Sequence, residues 1–261
     1  MKLRAVLPLV LAALLTPSSV QAKTVFDGGF QTGTLSQWPL RQFCSSSRAT
    51  VYSRASKPGW PRPASGSYAL RLHVYNSDVS PCTPTDNPRA QIASSTLLSA
   101  GRTYWERFQV YFPSTWPSTS SWQLFQEDYG SPWSGSPPLG FGVHTVNGVD
   151  TMDLNRGANH NYDRIWRKPL TRGHWYTFLV HKSMSASDSR GYVELWVDGV
   201  RQSFAGGATR FHTNTLASDH TGAYQFYLND YRAANSARVS DIFFDGAKIG
   251  TTLADVANRY F

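Results

Sequence analysis

Short apolar runs recur along the chain between clusters of Gly, Pro, Ser and Asn, and no long helical period is visible among them. They are YALRLHVY (68–75), TYWERFQVYF (103–112), WQLFQED (122–128), PLGFGVH (138–144), HWYTFLVHK (174–182), YVELWVDG (192–199) and VSDIFFDG (239–246). Their spacing and their Val, Tyr, Phe, Trp and Leu content predict an all-β sandwich or barrel. In YVELWVDGV, Val193, Leu195 and Val197 alternate with Glu194, Trp196 and Asp198, and Asp198-Gly199 supplies a hairpin turn. The closing TLADVANRY suits one helical turn or a short helix. Segments 113–121 and 130–138 are Pro/Ser-rich but flanked by strong strands, so they read as loops within one domain.

Alternation then sorts polar from apolar faces. In YQFYLNDYR (224–232), Gln225, Tyr227, Asn229 and Tyr231 share one face, and Phe226 and Leu228 point the other way. In NPRAQIASS (87–95), Arg89 and Gln91 alternate with Ala90 and Ile92. In WQLFQEDYG (122–130), strict alternation groups Gln123, Phe125, Glu127 and Tyr129 against Trp122, Leu124, Gln126 and Asp128. The adjacent carboxylates Glu127 and Asp128 then diverge, unless a bulge intervenes. In PLGFGVH, Gly140, Gly142 and His144 share a face, which leaves room either for a ligand or for another packed layer. Each polar face alone is an ordinary solvated surface. Together they describe a wide sheet face of Arg, Gln, Asn and Tyr, suited to a polymeric sugar.

Charge and targeting change the picture in one direction. The first 22 residues carry two early positive charges, an apolar run from Ala5 to Leu15 and a small-residue stretch ending Val20-Gln21-Ala22, the pattern of a secretory signal peptide. An exported product without a membrane span is expected. Cleavage removes Lys2 and Arg4, so the formal charge falls from +8 to +6. A moderately basic, aromatic-rich exported protein suits an anionic polymer. Nucleic acid is not expected, because the basic residues are scattered rather than clustered. The two cysteines, Cys44 and Cys82, most simply form one disulfide in an oxidising compartment.

Taken in order, FDGGFQTGTLSQW, GSYALRLHV followed by NPRAQI, PPLGFGV, RGHWYTFLVHKSMSASDSRGYVELWVDGV, YQFYLNDYR and DIFFDGAKIG resemble the heparin lyase I-like polysaccharide lyases. These are relatives of the glucuronan and alginate lyases, and the resemblance spans nearly all of residues 23–261. It implies a β-jelly roll, a concanavalin A-like sandwich of two antiparallel sheets in a single domain. The implied activity is β-elimination on an anionic, uronate-containing glycan. Arg89 matches the cleft arginine of such enzymes, and Gln91 falls where Glu or Gln follows it. Glu127 and Tyr129 fall where relatives carry Gln and the catalytic His. Tyr231 matches the catalytic Tyr of the YR ending, and Tyr227 stands where relatives have Lys.

The expected catalytic set is therefore Tyr231, Tyr129, His144 and Arg89, with Gln91, Glu127, Tyr227, Asn229 and Arg232 binding substrate. No cofactor is required, although Asp27 and Asp245, in the first and last strands, could share a structural Ca²⁺. RGANHNYDRIWRK (156–168), with Asn159, His160, Tyr162, Arg164 and Trp166, is either a loop over the cleft or a polar hairpin tip. A monomer is expected. Two other readings fit the same residues: a non-catalytic carbohydrate-binding module, and a glycoside hydrolase using Glu127.

Overall fold

A computed structural model describes residues 24–78, 87–95, 97–130, 135–157, 160–217, 223–234 and 239–257. The expected signal peptide and Cys82, hence the expected Cys44–Cys82 bridge, lie outside the described residues. In chain order the first strands are β1 (Thr24–Asp27), β2 (Leu40–Gln42), β3 (Ala49–Ser53), β4 (Tyr68–Val74), β5 (Arg89–Ala93) and β6 (Thr103–Tyr111). The middle of the chain gives β7 (Gln123–Tyr129), β8 (Leu139–Val146), β9 (Val149–Arg156), β10 (Arg164–Pro169) and β11 (Trp175–Ser183). Then come β12 (Tyr192–Val197), β13 (Val200–Arg201), β14 (Phe211–His212), β15 (Gln225–Arg232), β16 (Ser240–Gly250) and the single-turn helix α1 (Leu253–Val256). No described helix is long and apolar enough to cross a membrane.

The strands form a two-sheet β-jelly roll. Among the described residues one sheet has nine strands in the order β13-β12-β11-β6-β16-β4-β3, with β1 beside β16 and β14 beside β12. The other has seven, ordered β10-β9-β8-β7-β15-β5-β2, and the pairs are antiparallel throughout. Turn chemistry sets the registers. Asp198 (φ 51°) and Gly199 (φ 78°) both adopt the left-handed conformation that a two-residue hairpin turn demands, so Val197 pairs with Val200. Asn147-Gly148 does the same between β8 and β9.

The inward faces meet in an aromatic core. Phe108 of β6 stacks on Phe178 of β11 at 5.0 Å, and both face Phe125 and Phe141 from the opposite sheet. Truncating any of these buried rings to Ala would cost about 3–5 kcal/mol. The interior is not wholly apolar: Glu106, Asp128 and Lys182 are buried between the sheets.

Candidate active site

The outward face of the seven-stranded sheet carries a cleft of about 810 Å³. Arg89 and Gln91 from β5, Glu127 and Tyr129 from β7, and Tyr227 and Tyr231 from β15 line it. Pairing brings them together: Tyr231 lies opposite Arg89, Asn229 opposite Gln91, and Tyr227 opposite Glu127. On β15 the alternation read from the sequence holds, with Phe226 and Leu228 in the core and the phenols in the cleft.

On β7 strict alternation fails. Its register slips against β8 between Leu124 and Gln126, and against β15 between Leu228 and Tyr231. The irregularity keeps Phe125 in the core while Leu124, Glu127 and Tyr129 all reach the cleft. Leu124 also explains the glycines of β8. A Cβ on Gly140 would lie 3.3 Å from the Leu124 side chain, and one on Gly142 only 2.8 Å from the Gln123 carbonyl. The glycines admit the irregular neighbouring strand.

The floor is a hydrogen-bonded amide and carboxyl cluster. Gln91 Nε2 donates to Glu127 Oε1 (3.2 Å) and to Asn229 Oδ1 (3.0 Å), while Arg89 Nη1 donates to Gln91 Oε1 (3.3 Å). Glu127 Oε2 and Asn229 Nδ2 are buried without a well-formed hydrogen bond. Burial pushes the Glu127 carboxyl up to about 7, against the opposing pull of the Asn229 amide, the Arg89 charge and Gln91. Burial first, then the neighbouring Glu127 charge, also raises Tyr129, and the same two causes push Tyr227 up to about 12. The Arg89 guanidinium sits over the Tyr231 ring, 4.1 Å from its centroid, and Trp122 meets that ring edge-on at 4.9 Å.

Three expected residues lie elsewhere. Arg232 follows Tyr231 and so points to the opposite face; its buried guanidinium donates to the Val74 carbonyl and to Asn76 Oδ1, which corrects its assignment to substrate binding. His144 does not line the cleft either: its Nδ1 is 2.6 Å from Asp153 Oδ2, which also accepts from Arg164 Nε at 3.1 Å. Burial lowers the His144 pKa despite Asp153, and its place outside the cleft lining corrects its assignment as a catalytic residue. Trp166 packs in the core.

The two calcium candidates do lie on neighbouring strands, β1 and β16. The Lys248 ammonium is 3.2 Å from Asp27 Oδ2, and the Ser65 and Gly246 amides donate to the two oxygens of Asp245. A cation and two N–H donors repel a metal ion, so these residues do not fit Ca²⁺. Among the described residues no group of three or more His, Cys, Asp and Glu gathers for a metal.

Several lining residues escaped the sequence reading. Gln42, Asn87, Trp122, Leu124 and Asn155 belong to the cleft wall: Leu124 enters through the irregularity of β7, and alternation within one strand cannot reveal Gln42, Asn87 and Asn155 from other segments. The 156–168 segment was visible as a candidate. It is a hairpin tip that also closes the cleft, through Gly157, Tyr162 and Arg164. Tyr162 holds φ 55°, is 56% exposed and shares a hydrogen bond with Ser136 Oγ, a rim position suited to stacking on a sugar. His160 instead hydrogen-bonds Asn214, and Asn159 is outside the described residues.

A family model described as polysaccharide lyase matches residues 30–248. No curated protein matches the sequence. Among solved structures, the endo-β-1,4-glucuronan lyase of the fungus Trichoderma reesei superposes with a TM-score of 0.62 at 18% identity, covering 90% of this chain and 98% of that one. The catalytic domain of a glycoside hydrolase family 131 protein from Coprinopsis cinerea gives 0.58 at 15%, covering 90% and 100%. An alginate lyase from Aplysia kurodai gives 0.51 at 13%, covering 88% and 100%. At these identities the likeness is one of fold.

Proposed function

This chain belongs to the polysaccharide lyase family, and from that premise we propose that it cleaves an anionic, uronate-containing glycan by β-elimination in the cleft of the seven-stranded sheet. The carrying observation is the convergence of Arg89, Gln91, Asn229 and Glu127 at one point of the cleft floor, flanked by the Tyr129 and Tyr231 phenols.

The proton at C5 of a uronate is weakly acidic, and its removal places negative charge on the adjoining carboxylate. Donors aimed at that carboxylate therefore act where charge develops. Arg89 supplies a cation, Asn229 Nδ2 a buried donor without a well-formed protein hydrogen bond, and Glu127 an acid held near neutrality. A second carboxylate brought beside Glu127 raises its proton affinity further, so the two groups share one proton. In its protonated form Glu127 does the work that Gln does in the resembled lyases.

Tyr231 takes the C5 proton in this reading. The Arg89 guanidinium against its ring favours the phenolate, the form of Tyr231 that can accept a proton. Tyr129, whose pKa is raised, keeps its proton until the glycosidic oxygen departs and needs it. Tyr162 and Trp122 supply aromatic surface at the rim for neighbouring sugar rings.

Glycoside hydrolysis requires a second carboxyl opposite the first. Among the described residues that line the cleft, Glu127 is the sole carboxylate. The wider proposal keeps the heparin lyase I-like affinity, export after loss of residues 1–22, the Cys44–Cys82 bridge and a monomer.

The test is purified protein offered glucuronan, alginate and heparin-like polymers. Unsaturated uronate ends should raise ultraviolet absorbance on at least one of them. Tyr231→Phe should retain binding but lose turnover by about 10²–10⁴-fold. Well-folded protein that leaves the whole panel untouched defeats the proposal.

A further inference from the structure

Behind the cleft, on the inward side of β7, three ionisable side chains meet between the sheets. Lys182 Nζ of β11 is 2.7 Å from Glu106 Oε1 of β6 and in direct contact with Asp128 Oδ2 of β7. Their side chains are 4%, 1% and 7% exposed. Gln126 Nε2 donates to Asp128 Oδ1 at 3.2 Å. None of the four lines the cleft. As a stability device the cluster is poorly chosen, because one cation facing two carboxylates leaves a net negative charge in a dry interior. Apolar side chains of like volume would serve as well or better.

We propose that this triad is the site of an intramolecular amide crosslink between Lys182 Nζ and Asp128 Cγ, with Glu106 as proton carrier. The ammonium gives one proton to Glu106 and becomes a free amine. Its lone pair attacks Asp128 Cγ, forming the C–N bond and a tetrahedral centre. Glu106 returns its proton to the departing oxygen, and the nitrogen's second proton follows, so that the C–O bond breaks with loss of water. The sum is ammonium plus carboxylate giving amide plus water. Nothing is oxidised or reduced, and Glu106 ends as it began.

The surroundings favour each step. Burial pushes Lys182 down toward the free amine and Glu106 up toward the acid. The Gln126 amide polarises the carboxyl under attack. Replacing two buried ions by a neutral amide also removes their desolvation cost. The bond would join opposite sheets and anchor the strand that carries Glu127 and Tyr129.

Mass spectrometry decides. The reduced full chain, with its N-terminus sequenced, should weigh one water (about 18 Da) less than its composition requires. A proteolytic map should contain a branched peptide joining the Asp128 and Lys182 segments, uncut after Lys182. Asp128→Asn should still crosslink, with loss of ammonia (about 17 Da) instead. Glu106→Gln should retain the full mass. Folded wild-type protein at its full mass overturns the proposal and leaves an ion-pair triad. A one-water deficit that persists in Lys182→Arg overturns it equally.

Discussion

Glu127 has one oxygen bound to Gln91 and another with no well-formed hydrogen bond, at the bottom of a cleft proposed for an anionic sugar. If its proton is what makes that floor hospitable to a carboxylate, affinity must fall once the group ionises. Its folded pKa is raised to about 7, so the acid form prevails below that pH and the carboxylate above it. KM for a uronate oligomer should therefore climb by about tenfold per pH unit above 7. Glu127→Gln presents a neutral amide at every pH, and its KM should stay flat across the same range. A wild-type KM that does not change between pH 6 and 9 would count against the shared-proton role, while leaving the lyase reaction itself intact.

The polar face of strand β15 was legible because the strand obeys its period: each of Tyr227, Asn229 and Tyr231 turned up on it. Strand β7 was not, because its register slip depends on the partners on either side, and alternation within one segment does not encode partners. The same limit hid the interior triad. Asp128 reads as the harmless neighbour of Glu127 until a Lys from another sheet is found beside it. Arg232 was misassigned by extending a motif past its reactive residue, across the pleat to the buried side. The glycines of β8 left a ligand or another packed layer open, and the fold selects instead the close approach of strand β7 in the same sheet. That selection makes a prediction at the level of the strand pair. Gly142→Ala puts a methyl 2.8 Å from the backbone carbonyl of Gln123, where no flexible side chain can yield. The variant should lose about 1–3 kcal/mol of stability, read as a lowered melting temperature, with the loss passed on to cleft activity through β7. A Gly142→Ala variant that melts like wild type would mean that β7 and β8 adjust freely.

Among the described residues outside the interior triad, three buried carboxyls are raised together: Glu127 to about 7, Asp245 to about 7 and Asp230 to about 6, in each case chiefly by burial. In the unfolded chain these groups ionise at about pH 4. Between that value and the folded pKa the native state holds more protons than the unfolded one, so stability falls as pH rises. The stabilising contribution is complete below the unfolded pKa and is lost as pH climbs through about 6 to 7. Asp150 and Glu194 act oppositely. Burial alone would raise both, but hydrogen bonds from Thr145 and Arg172, and from His181 and Arg210, outweigh it and bring them below their usual range. Their contribution is present above the unfolded pKa and disappears only as pH falls through the lowered values. The two sets together place the stability maximum near the unfolded carboxyl pKa of about 4 and predict a melting temperature lower by on the order of 5 °C or more at pH 8.5. Thermal melts in buffers of matched ionic strength check this. Asp245→Asn should shallow the decline, because an amide accepts the Ser65 N–H without a proton to lose. A melting temperature that rises steadily from pH 5 to 8.5 would mean that water or rearrangement relieves these carboxyls in the folded protein.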